Sequence, residues 1–520
     1  MRKLPLGTQS FEILRKADCV YVDKTEIIHR MISEGRIYFL SRPRRFGKSL
    51  LISTLDALFS GREDLFKGLY IYDKWDWTQQ YPVIRIDWTQ INHSAPDEMK
   101  NSLNRYLKEV ASTYQVTLES QLAEDCFREL IKRLYDKTGK NAVILIDEYD
   151  KPVTSHLFDP DLNVIRRTVH DFYQVMKGAD QYIEFVFITG VSKFSGLSVF
   201  SALNNLTDIT LDRRYTAICG YTQEELENNF SEYIDRAAEY QGKTGEWVLD
   251  RIRYWYNGYT WDGKTSVYNP FSTMHFFDVQ IFSAYWYNTG TPTFLIDIIC
   301  RRDNPDMIVE GIAVDDSVFQ GYEPSNISEI PLLFQTGYLT IKEMHLDDNG
   351  EPGYTLDIPN MEVTRAFMRC LLQAYGKYPD ERYIDNLRKT MEQQIKTCDE
   401  AGFARSLEAM IATVPFEIGG KINEAYYHSL MLIWMRMLGF KIHGEPSNNI
   451  GRADAVWEQP GLTVVAEIKF DAETKIDTLL NAAMKQIHER RYYNRYPGKV
   501  ILMGIAFSGK STGCKMEVIS

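Results

Sequence analysis

Nowhere does the 520-residue chain contain the apolar run of roughly 18 residues that a bilayer span requires. Its longest runs, Ala142–Ile146 and Leu430–Met435, fall far short, and the opening MRKLPLGTQSFEILRK lacks the apolar core of an export signal. Neither membrane insertion nor export is therefore expected. Paired cysteines are missing too. The seven present (Cys19, Cys126, Cys219, Cys300, Cys370, Cys398, Cys514) stand singly, with no CxxC and an odd total. That argues against a zinc knuckle and a disulfide framework, and points to a reducing cytoplasm. The nine histidines show no HxxxH-type spacing, so no zinc site is expected. Fixed-period repeats and low-complexity segments are absent. Positive charge is in deficit: 59 Lys and Arg face 71 Asp and Glu, giving −12 and a pI near 5.4. The molecule as a whole does not attract polyanions, and any nucleic-acid surface must be a local basic patch. The deficit is uneven, because residues 401–520 hold 14 Lys and Arg against 12 Asp and Glu.

What is present is ordinary globular material, 44% hydrophobic and 25% charged, which excludes wholesale disorder and fibrous architecture. At about 150 residues per domain the length implies three or four domains. Residues 1–220 alternate short β-branched runs (Arg36–Leu40, Val83–Asp87, Ala142–Asp147, Glu184–Thr189, Asp208–Asp212) with helical stretches, the rhythm of an α/β domain with a parallel sheet. Residues 221–400 read as mostly helical and rich in aromatics. Within them Ile330–Phe334, Tyr338–Met344, the DDNG turn and Tyr354–Ile358 read as a helix followed by a β-hairpin, a winged-helix-like element. Trp255, Tyr256, Tyr259 and Trp261 are expected in an interdomain core. Residues 401–520 open with a helix at 422–438, in which Met431, Trp434, Met435 and Leu438 have core spacing. Strands at 441–446, 453–457 and 463–470, a helix at 478–493 and a strand at 500–506 complete an αβββαβ domain.

Chemistry concentrates at two places. Directly after the first β run comes SRPRRFGKSLL, in which Gly47, Lys48 and Ser49 form the GK[ST] end of a phosphate-binding loop and helical sequence starts at Leu50. A glycine lets backbone N–H groups face phosphate, the helix start adds positive potential, Lys48 reaches the β and γ oxygens, and the Ser49 hydroxyl ligates Mg²⁺. The first glycine of GxxxxGK[ST] would fall where Arg42 stands, so the strict pattern is broken. The run AVILIDEYD ends in Asp147 and Glu148, suited to supporting Mg²⁺ and polarising an attacking water. Together these motifs predict a nucleotide site formed by Arg44, Arg45, Phe46, Gly47, Lys48, Ser49 and Leu50 with Asp147 and Thr189, Glu148 and Lys48 being catalytic. Ser192, Lys193, Asn204 and Asn205 are candidate γ-phosphate sensors, and Arg213 and Arg214 candidate charge-stabilising arginines. Polar residues after a strand are ordinarily turn formers.

The second place is C-terminal. Glu467 and Lys469 are two apart and leave the same face of a strand, and a hairpin through 458–462 sets Asp454 beside Glu467. Asp454, Glu467 and the Ile468 carbonyl are hard oxygen donors suited to Mg²⁺ (or Mn²⁺). Lys469 would activate a water against a phosphodiester, with Glu424 and Gln486 supporting metal and water. ExK on a strand is also a common coincidence of alternating edge charges. Lys485, His488, Arg490, Arg491, Arg495 and Lys499 interleave with Tyr492, Tyr493 and Tyr496, the mixture that binds phosphate and stacks on bases, or a solvated helix face.

RPRRFGKSLL, YVDKT (Tyr21–Thr25), IDEYDKP (Ile146–Pro152), TGVSKFS, LNNL and YNGYTWDG…YNPFS…YWYNTG resemble the AAA-ATPase-like family of bacterial proteins, which joins an N-terminal ATPase to a C-terminal nuclease-superfamily domain. The resemblance implies that RPRRFGKS, Arg42 included, is the ordinary form of this loop. GRADAV, EIKF, KQI and the following tyrosine pair resemble the PD-(D/E)xK nuclease superfamily, a restriction-endonuclease-like fold, with every motif position filled. The expectation is a Mg²⁺-dependent ATPase controlling a nuclease that acts on DNA, with RNA left open, in defence against mobile elements. Homo-oligomerisation is also left open. The competing expectation is a nucleotide-switched signalling or scaffolding protein whose C-terminal domain binds nucleic acid or a partner without cleaving.

Overall fold

The structure is a computed structural model that describes residues 1–157, 159–194, 203, 205–286, 311–321, 329–367, 381–412, 431, 435–436, 438, 441–443, 455–459, 461–496, 498–508 and 511–519. Compactness divides the chain into Met1–Gly290 with Ala313–Asn360, and Met361–Ser520 with Thr291–Ile312. The boundary read at residue 220 falls inside the first unit and that at 401 inside the second. Among the described residues no helix is long and apolar enough to cross a membrane.

In the first unit, helices α1 (Phe11–Lys16) and α2 (Thr25–Glu34) precede a five-stranded parallel sheet. Its strands are β1 (Ile37–Ser41), β2 (Val83–Asp87), β3 (Ala142–Asp147), β4 (Ile183–Gly190) and β5 (Thr207–Asp208), in the order β2-β3-β4-β1-β5. Every residue of β1 and β3 is buried, as a parallel sheet covered on both faces demands, and this is why the strands read as continuous apolar runs. The fourth strand inserts between the first and third. Register sets Ser41 opposite Gly190 and Asp87 opposite Asp147, so the carboxyl ends of β1–β4 share one edge. Helix α3 (Lys48–Phe59) starts there and packs across β2–β4. Helices α4 (Pro96–Thr113), α5 (Ala123–Thr138) and α6 (Leu162–Gly178) pack on one another, Phe127 stacking on Phe172 at 4.6 Å.

The strand expected at Asp208–Asp212 is shorter and earlier. Asp208 accepts from the Thr210 N–H and Asp212 from the Arg214 N–H, so local side-chain caps end the strand and start a 3₁₀ turn, Arg213–Ile218. The aromatic segment supplies α7 (Gln223–Gln241), opened by a Thr222/Glu225 capping box, α8 (Gly245–Tyr256) and α9 (Pro270–Val279). Helix α10 (Glu329–Thr336) then leads into the antiparallel hairpin β6 (Thr340–Leu346) and β7 (Pro352–Asp357), as expected.

The second unit contains α11 (Glu381–Thr397), α12 (Glu400–Ala412) and a mixed sheet. Its strands are β8 (Lys441–His443), β9 (Ala455–Gln459), β10 (Leu462–Phe470), β11 (Val500–Ser508) and β12 (Ser511–Ile519), in the order β12-β11-β10-β9-β8. Only β10 and β11 run parallel, and α13 (Ile476–Arg490) is their crossover. Met484 and Ile487 of α13 close a core with Val456, Val465, Val500 and Leu502. The final strand was not expected. Most of the expected opening helix, Trp434 included, lies outside the described residues; Met431, Met435 and Leu438 are buried.

A Cβ at Gly190, where β4 ends, would sit 2.4 Å from the Tyr149 ring and 2.6 Å from an Asp150 carboxylate oxygen. Gly190→Ala is accordingly expected to lower stability by about 1–3 kcal/mol. Denaturant unfolding checks this: the midpoint should fall at constant slope, and an unchanged midpoint would contradict the close approach.

Candidate functional site

The phosphate loop turns through left-handed backbone at Arg45 (φ 67°) and Gly47 (φ 95°), and Gly47 opens α3. A Cβ at Gly47 would meet nothing within 4 Å, so the glycine answers the backbone angle rather than crowding. The first N–H groups of this 12-residue helix have no intrahelical acceptor and face outward as anion donors. Lys48 is buried, and its ammonium donates to the carbonyls of Arg42 (3.0 Å) and Pro43 (3.1 Å). Buried Asp147 ends β3 and accepts from the Thr189 hydroxyl of β4 at 2.8 Å and from the Glu148 N–H at 3.1 Å. Glu148 adopts φ 52°, which turns its carboxylate to within 3.9 Å of the Lys48 ammonium. Strain in so restricted a region is characteristic of functional turns. Asp150, fully enclosed, accepts from the N–H groups of Val191 and Ser192. Burial and then the Glu148 charge push its carboxyl up to about 6.

Lys48 and Glu148 open on a cavity of about 400 Å³ walled by residues 44–51, Glu148 and Lys151, whereas Asp147, Asp150 and Thr189 are buried and do not line it. Tyr21–Val22 with Lys24, from the YVDKT block, and Phe271, from YNPFS, complete it, together with segments that no motif indicated: Gly7–Gln9, Cys219–Tyr221 and Met274. Its donor set (a helix start, Lys48, the Ser49 hydroxyl and the Glu148 carboxylate) fits a nucleoside triphosphate with its cation, and its volume suits one. The Phe46 ring is buried against Tyr259 (4.7 Å) and Trp261 (5.7 Å), so its side chain packs while the residue forms part of the cavity wall. Those aromatics belong to the same compact unit as the loop. Their neighbours hold the loop too: Trp286 donates to the Arg44 carbonyl, and the Arg45 guanidinium lies 5.0 Å over Phe271.

Among the sensor candidates, Ser192 gives its N–H to Asp150, while the Lys193 ammonium is 2.7 Å from Asp208 and its N–H donates to Gln335. Arg214 is paired with Asp212 and Glu34, Arg213 is exposed, and Asn204 lies outside the described residues. Lys24, in the YVDKT block, makes a buried pair with Glu225 at 2.6 Å.

In the second unit, Glu467 is fully buried and its carboxylate is 3.0 Å from the Lys469 ammonium. Both share a face with Val465, the face covered by α13, on which Gln486 is half-buried. Gly504, opposite Glu467 on β11, lets this helix approach closely, since a Cβ there would meet Met484 at 3.1 Å. Ile468 is buried on the other face and offers only its carbonyl. Glu424 and Asp454 lie outside the described residues, among which no group of three or more His, Cys, Asp or Glu could hold a metal ion. A buried carboxylate beside a lysine is the hard-donor chemistry that suits Mg²⁺ or Mn²⁺. The basic stripe is partly committed: Lys485 pairs with Glu489 and His488 with Glu517, and Tyr493 and Tyr496 pack against the core.

Fold and site together define a P-loop ATPase-like domain joined to a nuclease-type domain. The AAA-ATPase-like family model matches residues 5–200 and that of the PD-(D/E)XK nuclease superfamily residues 422–517. The chain belongs to the AAA-ATPase-like family and carries a PD-(D/E)XK superfamily domain, domain types that use nucleotide and divalent metal. It is 34% identical over 519 residues to a protein of Azotobacter chroococcum mcd 1, described as an uncharacterized protein in the vnfD 5′ region, covering 98% of this chain and 97% of that one.

Asp150 has a pH signature. Its native pKa is raised, so between about pH 4 and 6 the folded state holds a proton that the unfolded state has lost, and stability falls as pH rises through that window. Asp150→Asn is expected to remove this component, read as a flatter melting temperature over pH 4–6; an equally steep fall would assign it elsewhere.

Proposed function

We propose that the protein hydrolyses ATP with Mg²⁺ and that this cycle controls a metal-dependent nuclease acting on DNA in the cytoplasm, in defence against mobile elements. Hydrolysis falls to residues 1–220, relay to 221–400 and cleavage to 401–520. One observation carries the reading: Lys48 and Glu148, 3.9 Å apart, line a single cavity together with the phosphate loop, and Asp147, next in the chain to Glu148, is held by Thr189 of the adjoining strand. Lys48 exchanges its two carbonyl acceptors for β and γ phosphate oxygens. Ser49 and Asp147 would hold Mg²⁺, which when bound would supply positive charge beside those oxygens. Glu148 orients the attacking water and takes its proton as the β–γ bridging bond breaks, leaving ADP and phosphate. Thr189 fixes the Asp147 carboxylate by donating its hydroxyl. In the second unit Asp454, Glu467 and the Ile468 carbonyl would hold the cation, Lys469 would orient the water, and Glu424 and Gln486 would support both.

Lys48→Ala is expected to abolish ATP binding and hydrolysis. Glu148→Gln should still bind ATP, with turnover lowered by about 10²-fold or more. Lys469→Ala should retain hydrolysis but lose cleavage of linear and circular DNA in Mg²⁺ or Mn²⁺. Hydrolysis unchanged in Lys48→Ala would refute the ATPase assignment. Failure of the wild type to cleave under any condition, with ATP still consumed, would favour the nucleotide-switched binding protein.

A further inference from the structure

Arg42 occupies the position where the strict loop pattern has glycine, and it is fully buried with no carboxylate against it. Its guanidinium donates to three carbonyls: Ser41 and Thr210 at 2.9 Å and Tyr215 at 3.3 Å. The same group lies 3.8 Å over the Trp261 ring, whose edge-to-face partner is Phe46 of the loop. Burial lowers its pKa only to about 10, so it remains a cation at neutral pH. Burying a charge is costly and persists only where hydrogen bonds and packing compensate. The Arg42 backbone is engaged as well. Its N–H continues the β1–β4 ladder to the Gly190 carbonyl at 3.2 Å, and its own carbonyl accepts from the Lys48 ammonium at 3.0 Å. Residue 42 is therefore gripped by β4, by the segment after β5 and by Trp261, while its carbonyl holds the phosphate-binding lysine. With glycine there, the Thr210 and Tyr215 carbonyls would lose a donor, and the peptide that orients Lys48 would lose its side-chain anchor.

We propose that Arg42 is a positioning residue: its buried guanidinium fixes the carbonyl that parks the Lys48 ammonium, and so presets the lysine for the β and γ phosphates. This rests on the ATP reading above. It predicts a loss graded by phosphate count, since α-phosphate and base do not meet Lys48.

The test measures affinities of the full chain for fluorescent ATP, ADP and AMP analogues, with melting temperatures, for wild type, Arg42→Lys and Arg42→Ala. Lysine keeps the charge under Trp261 but cannot serve three carbonyls. Arg42→Lys is expected to fold with a lowered melting temperature, since buried carbonyls lose donors, and to bind ATP and ADP about tenfold more weakly, roughly 1.4 kcal/mol, with AMP affinity unchanged. Arg42→Ala should lose more of the same two affinities. If Arg42→Ala does not fold, Arg42→Lys alone decides. Unchanged ATP affinity in Arg42→Lys, or an equal loss for all three nucleotides, would overturn the proposal. A wild-type chain that binds none of the three would instead overturn the nucleotide reading on which it rests.

Discussion

The hydrogen bond from the Thr189 hydroxyl to the Asp147 carboxylate, 2.8 Å across β4 and β3, ties together the strand ends on which the proposed nucleotide site depends. It exists because the fourth strand lies between the first and third. That insertion separates the phosphate loop after β1 from the acids after β3 by one strand width, about 4.8 Å per ladder step, and leaves space between them for a phosphate and its cation. It also aims Asp147. Its carboxylate accepts from the Thr189 hydroxyl and the Glu148 N–H, which fixes the orientation of a buried polar group. Glu148, one residue on, is turned away by its left-handed backbone and meets Lys48 instead. Adjacent acids thus acquire different tasks from backbone geometry alone.

The aromatic segment gives the loop its rigidity. Phosphate loops are short, and their exposed N–H groups are useful only if preorganised. Here Phe46, Arg44 and Arg42 are each held by an aromatic from residues 255–286: Tyr259 and Trp261 around Phe46, Trp286 on the Arg44 carbonyl, and Trp261 under Arg42. Gly337 supports the other flank, where a Cβ would come within 2.8 Å of the Pro43 ring. Any nucleotide-driven shift of the loop must move these rings. The C-terminal sheet applies the same economy differently: Gly504 thins β11 so that α13 covers Glu467, placing a carboxylate in a dry, lysine-flanked position.

Much of this was legible in the sequence. The β-branched runs marked β1–β4 because strands buried on both faces cannot hide their composition, and GKS and Glu148 fall on the cavity wall. Strand order was not legible, since it is set by crossover packing rather than by any residue. The packing roles of Arg42 and Phe46 were not legible: the Phe46 ring and the Arg42 guanidinium are held by Tyr259 and Trp261, contacts more than 200 residues away in sequence. The cavity walls from residues 7–9 and 219–221 were missed because long-range contacts leave no local motif, although YVDKT was a signal for Lys24. Strand β12 escaped because STGCKMEVI lacks an apolar run; it is an edge strand with most positions at least partly exposed.

The central claim is that nucleotide occupies the cavity at the carboxyl edge of β1, β4 and β3. Hydrogen–deuterium exchange on the full chain, with and without Mg²⁺-ATP, tests it without requiring turnover. The account predicts slowed exchange in residues 44–51, 147–151 and the wall segments 7–9 and 219–221. Protection confined to other regions, or none at saturating ATP, would contradict it.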